Sequence, residues 1–149
     1  MKTNKIITSV VLALSFLMTS CSSSYFKSSA PIQLSDDDRV VHFEYDSSKL
    51  QRSDKSKLKK NIVKWAKENP SAKISVEGHC DERGSNSYNK KLGLERAKTV
   101  KQYLVKYGIP ASRIKTISYG ESKPVAKGSN EESWRQNRRA VTLTISKNK

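Results

Sequence analysis

Between Glu77 and Ala97 the chain concentrates side chains able to do ionic chemistry: EGHCDERGSNSYNKKLGLERA. Ile74 and Val76 alternate with Ser75 and Glu77, the period of a half-buried strand. Gly78 and Gly84, two backbone breakers, bracket His79, Cys80, Asp81, Glu82 and Arg83. Ser85 suits a helix N-cap. After it Leu92, Ala97, Val100, Leu104 and Tyr107 recur on one helical face, with Arg96 on the flank of that stripe. An acid at a strand end and an arginine at a helix edge can together hold a zwitterion. A helix starting near Asn86 puts Arg96 about 15 Å along its axis, with its side chain pointing back towards the N-terminus. The 80–85 loop must therefore double back over the first helical turns if Asp81 is to share a site with Arg96.

The flanking sequence supplies the elements that would position such a pair. Val41, Phe43 and Tyr45 alternate with His42 and Glu44 as a first strand, ended by Asp46-Ser47-Ser48. A lysine-rich helix follows over about Ser53 to Asn69. Leu58, Ile62, Trp65 and Ala66 form its apolar stripe, Lys55, Lys57, Lys60, Lys64 and Lys67 are interleaved around it, and Pro70 ends it. Trp65 reads as core. Lys73 to His79 is a second strand, and Asn86 to Tyr107 a second helix stopped by Gly108. Ile114 to Tyr119 is a third strand, Glu131 to Asn137 a short helix, and Val141, Leu143 and Ile145 alternate in a last strand. Helices can cover one face of four strands, which gives an α+β fold, a two-layer α/β sandwich. The pattern does not set the strand order.

The 149 residues allow one domain behind a leader. Lys2 and Lys5 precede an apolar run, Ile6 to Met18, that is short for a membrane span. Residues 1–20 read as a signal peptide, and Met18-Thr19-Ser20-Cys21 resembles a lipobox that would make Cys21 the acylated first residue of the mature chain. Met18 stands where leucine is usual. Residues 21–38 read as the lipidated cysteine and a serine-rich tether able to reach roughly 60 Å when extended, and residues 39–149 as the folded domain. Cys80 then lacks an internal partner. Its parity with Ile74, Val76 and Gly78 points it into the core as a buried thiol. His79, on the opposite strand face, reads as structural, and the two cannot easily share a metal or act as a nucleophile–base pair. No cofactor, no metal and no catalytic residue is expected.

The chain carries 29 basic against 14 acidic residues, a balance that favours anionic partners. Nucleic acid is excluded by export and by aromatics that fall on core faces rather than among exposed basic residues. The pieces Gly78-His79, Asp81-Glu82-Arg83-Gly84, Tyr88-Asn89, Leu92-Gly93 and Glu95-Arg96-Ala97 are followed in order by Ser118-Tyr119-Gly120-Glu121, Lys123-Pro124 and Asn137-Arg138-Arg139-Ala140-Val141. Together they resemble the OmpA-like peptidoglycan-binding domain family over about residues 40 to 145, closest to its lipid-anchored members. The resemblance implies the mixed sheet of that fold with two main helices on one face. It also implies a site for the peptide stem of peptidoglycan, chiefly meso-diaminopimelate, with Asp81 on the ammonium and Arg96 on the carboxylate. Tyr45 and Asp46 would be an aromatic–acid pair in the pocket, and Arg83, Asn89 and Leu92 its walls. Arg138 and Arg139 would brace the sheet. Outer-membrane anchoring through Cys21 and partnership with TolB and other Tol proteins are implied in the same way. A lipid-anchored member without a Tol partner fits the same residues.

Overall fold

The structure, a computed structural model, describes residues 34–145. The leader, Cys21 and most of the tether lie outside the described residues. The fold begins at Leu34, which is buried in the core, and at a short helix α1 (Asp36–Arg39). Ser35 and Asp38 close a reciprocal capping box at its start. Lys57 Nζ donates to Asp37 Oδ2 at 3.2 Å, which docks this helix on the next one. Residues 34–38, expected in the tether, are thus part of the domain, because the apolar Leu34 and the three aspartates have partners in it.

Strand β1 (Val40–His42) leads through a loop to α2 (Arg52–Leu58). This helix runs on through one π-helical segment (Lys59–Val63) into α3 (Lys64–Glu68). Then come β2 (Lys73–His79), α4 (Asn86–Lys106), β3 (Ile114–Gly120), α5 (Glu131–Asn137) and β4 (Arg139–Ile145). The sheet order is β1-β4-β2-β3. The last strand is inserted between the first two and runs antiparallel to both, while β2 and β3 are parallel. It is the four-stranded mixed sheet with a helical layer that the resemblance implied.

One continuous core joins the layers: Leu58, Ile62, Trp65 and Ala66 from the first helical stretch, Ala97, Val100 and Leu104 from α4, and Val41, Ile74, Val76 and Ala140 from the sheet. The π turn adds Val63 to the buried stripe, which the 3.6-residue period alone does not include. The first strand differs from expectation. Its alternation holds through Phe43, which is buried, but Asp46 turns into the left-handed region at φ 51 and Tyr45 is 60% exposed. Tyr45 faces the site described below instead of continuing a strand.

Gly78 is not a breaker. It lies inside β2, where a Cβ would sit 1.8 Å from the carbonyl oxygen of Gly93, and a Cβ on Gly93 would sit 2.4 Å from Ser118 Oγ. The two glycines let α4 lie directly on the strand, and that contact sets where the helix presents its N-terminal half. Gly78→Ala is expected to destabilise the domain by about 3 kcal/mol or more, at the upper end of overpacking costs, read as a lower urea midpoint.

Candidate functional site

At the C-terminal end of β2, the chain is held to β3 by Cys80 N–H donating to Gly120 O at 2.8 Å. It then turns through Gly84 at φ 105, and Ser85 Oγ caps α4 by accepting from Tyr88 N–H. Asn89, buried in the first turns of α4, donates from Nδ2 to Asp81 O and Arg83 O. This amide folds the 81–84 loop back over the helix, as a shared Asp81–Arg96 site requires.

The loop closes a cavity of about 140 Å³ whose lining includes all seven residues singled out from sequence: Tyr45, Asp46, Asp81, Arg83, Asn89, Leu92 and Arg96. Cys80, Gly84, Tyr88 and Arg138 complete the wall. Asp81 and Arg96 stand in different parts of that wall, each with its own partners. Asp81 is buried and saturated with cations. Arg83 donates from its backbone N–H and Nε to Oδ1 and from Nη2 to Oδ2 at 2.7 Å, and Arg138 reaches Oδ2 at 3.3 Å. Burial works to raise the carboxyl's pKa, but the hydrogen bonds from Arg83 and Arg138 outweigh it and hold the group below its ordinary value.

Arg96 is 1% exposed. It donates to three carbonyls: Nε to Ser47 O at 2.9 Å, Nη1 to His79 O at 2.7 Å and Nη2 to Glu44 O at 3.2 Å. A guanidinium has five N–H donors, so one remains on each terminal nitrogen. The arginine therefore does two things. It ties the 44–47 loop to the end of β2, and it keeps a positive charge in the cavity wall.

Arg83 is sandwiched at the rim between the Tyr45 ring, 4.2 Å from its guanidinium, and the Trp134 ring, 4.0 Å away. Trp134 is held in turn by donating Nε1–H to Glu82 Oε1. Tyr88 OH donates to Asp46 Oδ1 across the mouth. Sequence reasoning missed the roles of Tyr88, Trp134 and Arg138. Tyr88 stood in the matched motif, one turn past the cap. Arg138 was read as a brace, and it is one, donating Nε to Phe43 O at 3.0 Å. It also lines the cavity and pairs with Asp81. Trp134 left no signal, since only the folded short helix brings it to Arg83.

Cys80 is buried, its Sγ donating to Asn89 O at 3.3 Å, and burial pushes the thiol's pKa up. His79 faces the other way, buried at 2% exposure with its ring stacked on Tyr119 at 5.4 Å. Burial, then the charges of Arg139 and Lys123, push its pKa down to about 4. An unfolded His79 protonates near pH 6.5. Between those values the unfolded chain binds more protons, so the stability present above about pH 6.5 is lost as pH falls towards 4, by at most about 3 kcal/mol. His79→Phe, which keeps an aromatic ring beside Tyr119, is expected to flatten that slope. Urea unfolding at pH 7.5 and 4.5 reads the difference.

Mixed sheet, helical layer and a charged cavity at the β2–α4 junction together define a protein class. The chain matches the OmpA family over residues 42–138 and belongs to it. Within the family it is similar to peptidoglycan-associated lipoproteins. That of Agrobacterium fabrum is 45% identical over 103 residues, 69% of this chain and 58% of that protein. The crystal structure of the one from Burkholderia pseudomallei superimposes with a TM-score of 0.69 at 37% identity, over 71% of this chain and 89% of that one. The C-terminal domain of Helicobacter pylori MotB, at 23% identity and a TM-score of 0.66, shares the fold. The chain spans about three fifths of the length of the curated relatives it matches.

Proposed function

We propose that this protein is a non-catalytic, lipid-anchored binding module that holds the diaminopimelate-bearing stem peptide of peptidoglycan and ties the outer membrane to the cell wall. The observation that carries the reading is a single small cavity walled by an anionic Asp81 and a cationic Arg96. The far end of diaminopimelate bears an ammonium and a carboxylate on one carbon, and that pair matches the cavity's two charges. The ammonium is placed at Asp81, where it takes over from one of the arginine nitrogens. The carboxylate is placed against the remaining N–H groups of Arg96, a charge-assisted contact. Tyr45 and Leu92 flank the methylene chain, Asp46 and Arg83 close the mouth, and Asn89 holds the loop. Likeness to peptidoglycan-associated lipoproteins supports lipidation at Cys21, an outer-membrane location facing the periplasm, and partnership with TolB and the other Tol proteins.

The protein is expected to co-sediment with cell-wall sacculi of the diaminopimelate type and to remain in the supernatant with sacculi of the lysine type. Cys21→Ser is expected to release it from the membrane fraction of cells. Equal sedimentation with both wall types would refute the site, and membrane retention of Cys21→Ser would refute the anchor.

A further inference from the structure

Among the described residues β3 ends the sheet order and pairs with β2 on one side only. Its other side is an open edge, and two lysines of α4 reach over it. Ile114 O accepts from Lys101 Nζ at 2.7 Å, and Ser118 O accepts from Lys90 Nζ at 3.2 Å. Ile114 N–H goes back to Ala111 O instead of into the ladder. Ile114 and Ser118 therefore turn their backbone outwards. Alternate residues of a strand face the same edge, so Thr116, midway between them, presents its N–H and C=O on that open side too. The lysines sit on carbonyls that a further strand would use, a known way of keeping a sheet edge from pairing at random.

Beside this edge lies a groove of about 600 Å³, lined by α4, by the turn before β3 and by Thr116 of β3 itself. Val105, 40% exposed, and Ala111 give it apolar surface, while Lys98, Lys101 and Lys106 give it charge. No carboxylate is among the described residues that line it. The surrounding chain does not restore the balance. From Lys90 to Ser118 it carries eight Lys or Arg and one acid, Glu95, which pairs with Lys98 at 2.8 Å. Arg96 and Arg113 are tied to backbone carbonyls, so the unengaged charge of this stretch rests on its lysines. The groove shares no lining residue with the charged cavity.

We propose that this groove takes an extended, acidic segment of a partner protein, which adds to β3 as a further strand. A neutral or basic strand meets lysines already seated on the edge carbonyls, and a second copy of this edge brings lysines of its own. A segment with carboxylates at alternate positions draws Lys90 and Lys101 off Ser118 O and Ile114 O. Those carbonyls then accept N–H groups of the incoming strand. Main-chain bonds supply the affinity of such an addition, and alternate side chains supply its selectivity. Here the carboxylates lie on the helix side against Lys98, Lys101 and Lys106, and their aliphatic stems cover Val105 and Ala111. The intervening residues lie on the other sheet face, beside Ile117. The inference is independent of what the cavity binds.

The test titrates the full-length protein in neutral detergent with two labelled, end-capped peptides, read by fluorescence anisotropy. One alternates glutamate with valine. The other alternates glutamate with proline, which keeps the charge and cannot pair as a strand. The valine peptide is expected to bind about ten-fold or more tighter than the proline peptide, and to slow amide hydrogen exchange over residues 114–120. Changing both Lys98 and Lys106 to Gln, two exposed positions outside the backbone bonds of the edge, is expected to weaken it about five-fold or more. Circular dichroism confirms the fold. Equal binding of the two peptides would mean a surface for polyanions of any shape and overturns strand addition. No binding of the valine peptide, binding unmoved by the two substitutions, or slowed exchange confined to the 80–85 loop overturns the proposal as well.

Discussion

Arg96→Ala is expected to destabilise the domain by about 3–5 kcal/mol before any ligand is considered. The guanidinium is nearly inaccessible and satisfies the carbonyls of Glu44, Ser47 and His79. A buried acceptor left unpaired costs about 1–3 kcal/mol. His79 O is one, whereas Ser47 O is half-buried and Glu44 O keeps the Ser47 N–H. The rest of the loss comes from emptying the volume of a long side chain that is 1% exposed. Removing the side chain also unties the loop that carries Tyr45 and Asp46 from the strand end that carries Asp81. Folded domains hold only about 5–15 kcal/mol in all, so the variant is expected to unfold at a much lower urea concentration. A loss under about 1 kcal/mol would mean that these carbonyl bonds do not hold the loop. The consequence for function is direct: lost binding in Arg96→Ala cannot by itself be credited to a ligand contact.

Asp81→Asn is the cleaner probe, and its expected effect on binding is as large. The substitution keeps the shape of the side chain and removes the charge. Arg138 retains Phe43 O and Glu131 Oε1, and Arg83 retains its two aromatic faces and Glu131, so the wall stays in place. Loss of one member of a buried charge pair costs about 2–5 kcal/mol, which predicts a stem-peptide affinity lowered on the order of 30-fold to several thousand-fold. Titration calorimetry reads it, with urea unfolding as the control for the fold. Unchanged affinity in a folded Asp81→Asn protein would remove the carboxylate from the recognition scheme.

What sequence could and could not reveal follows from the range of each interaction. Lys73–His79 and Glu131–Asn137 were read to the residue, because strand alternation and a local cap are written in neighbouring positions. The insertion of β4 between β1 and β2 was not legible, since pairing between strands about 60 to 100 residues apart leaves no local mark. Asp81, Arg83, Asn89, Leu92 and Arg96 converge because the β2–α4 junction is short and Asn89 folds the loop back, so a spaced motif translated directly into a cavity. Arg96 ties in the loop that brings Tyr45 and Asp46. The fit was less complete in the partners. Sequence paired Asp81 with Arg96 through a shared ligand, and it could not show that Arg83 and Arg138 already occupy the carboxylate or that Arg96 is spent mostly on backbone. Gly78 was misread for a related reason: its role is to let a helix approach a strand, and only the crossing of α4 over β2 reveals it.

The central claim is recognition of a zwitterion by Asp81 and Arg96, and one titration addresses it. The wild-type protein is titrated calorimetrically with a stem peptide carrying diaminopimelate, and with the same peptide carrying lysine, which keeps the ammonium and lacks the carboxylate. The predicted result is binding of the first and an affinity for the second lower by about 30-fold or more, the weight of one charge-assisted pair in a buried site. Equal affinity for the two peptides would contradict it.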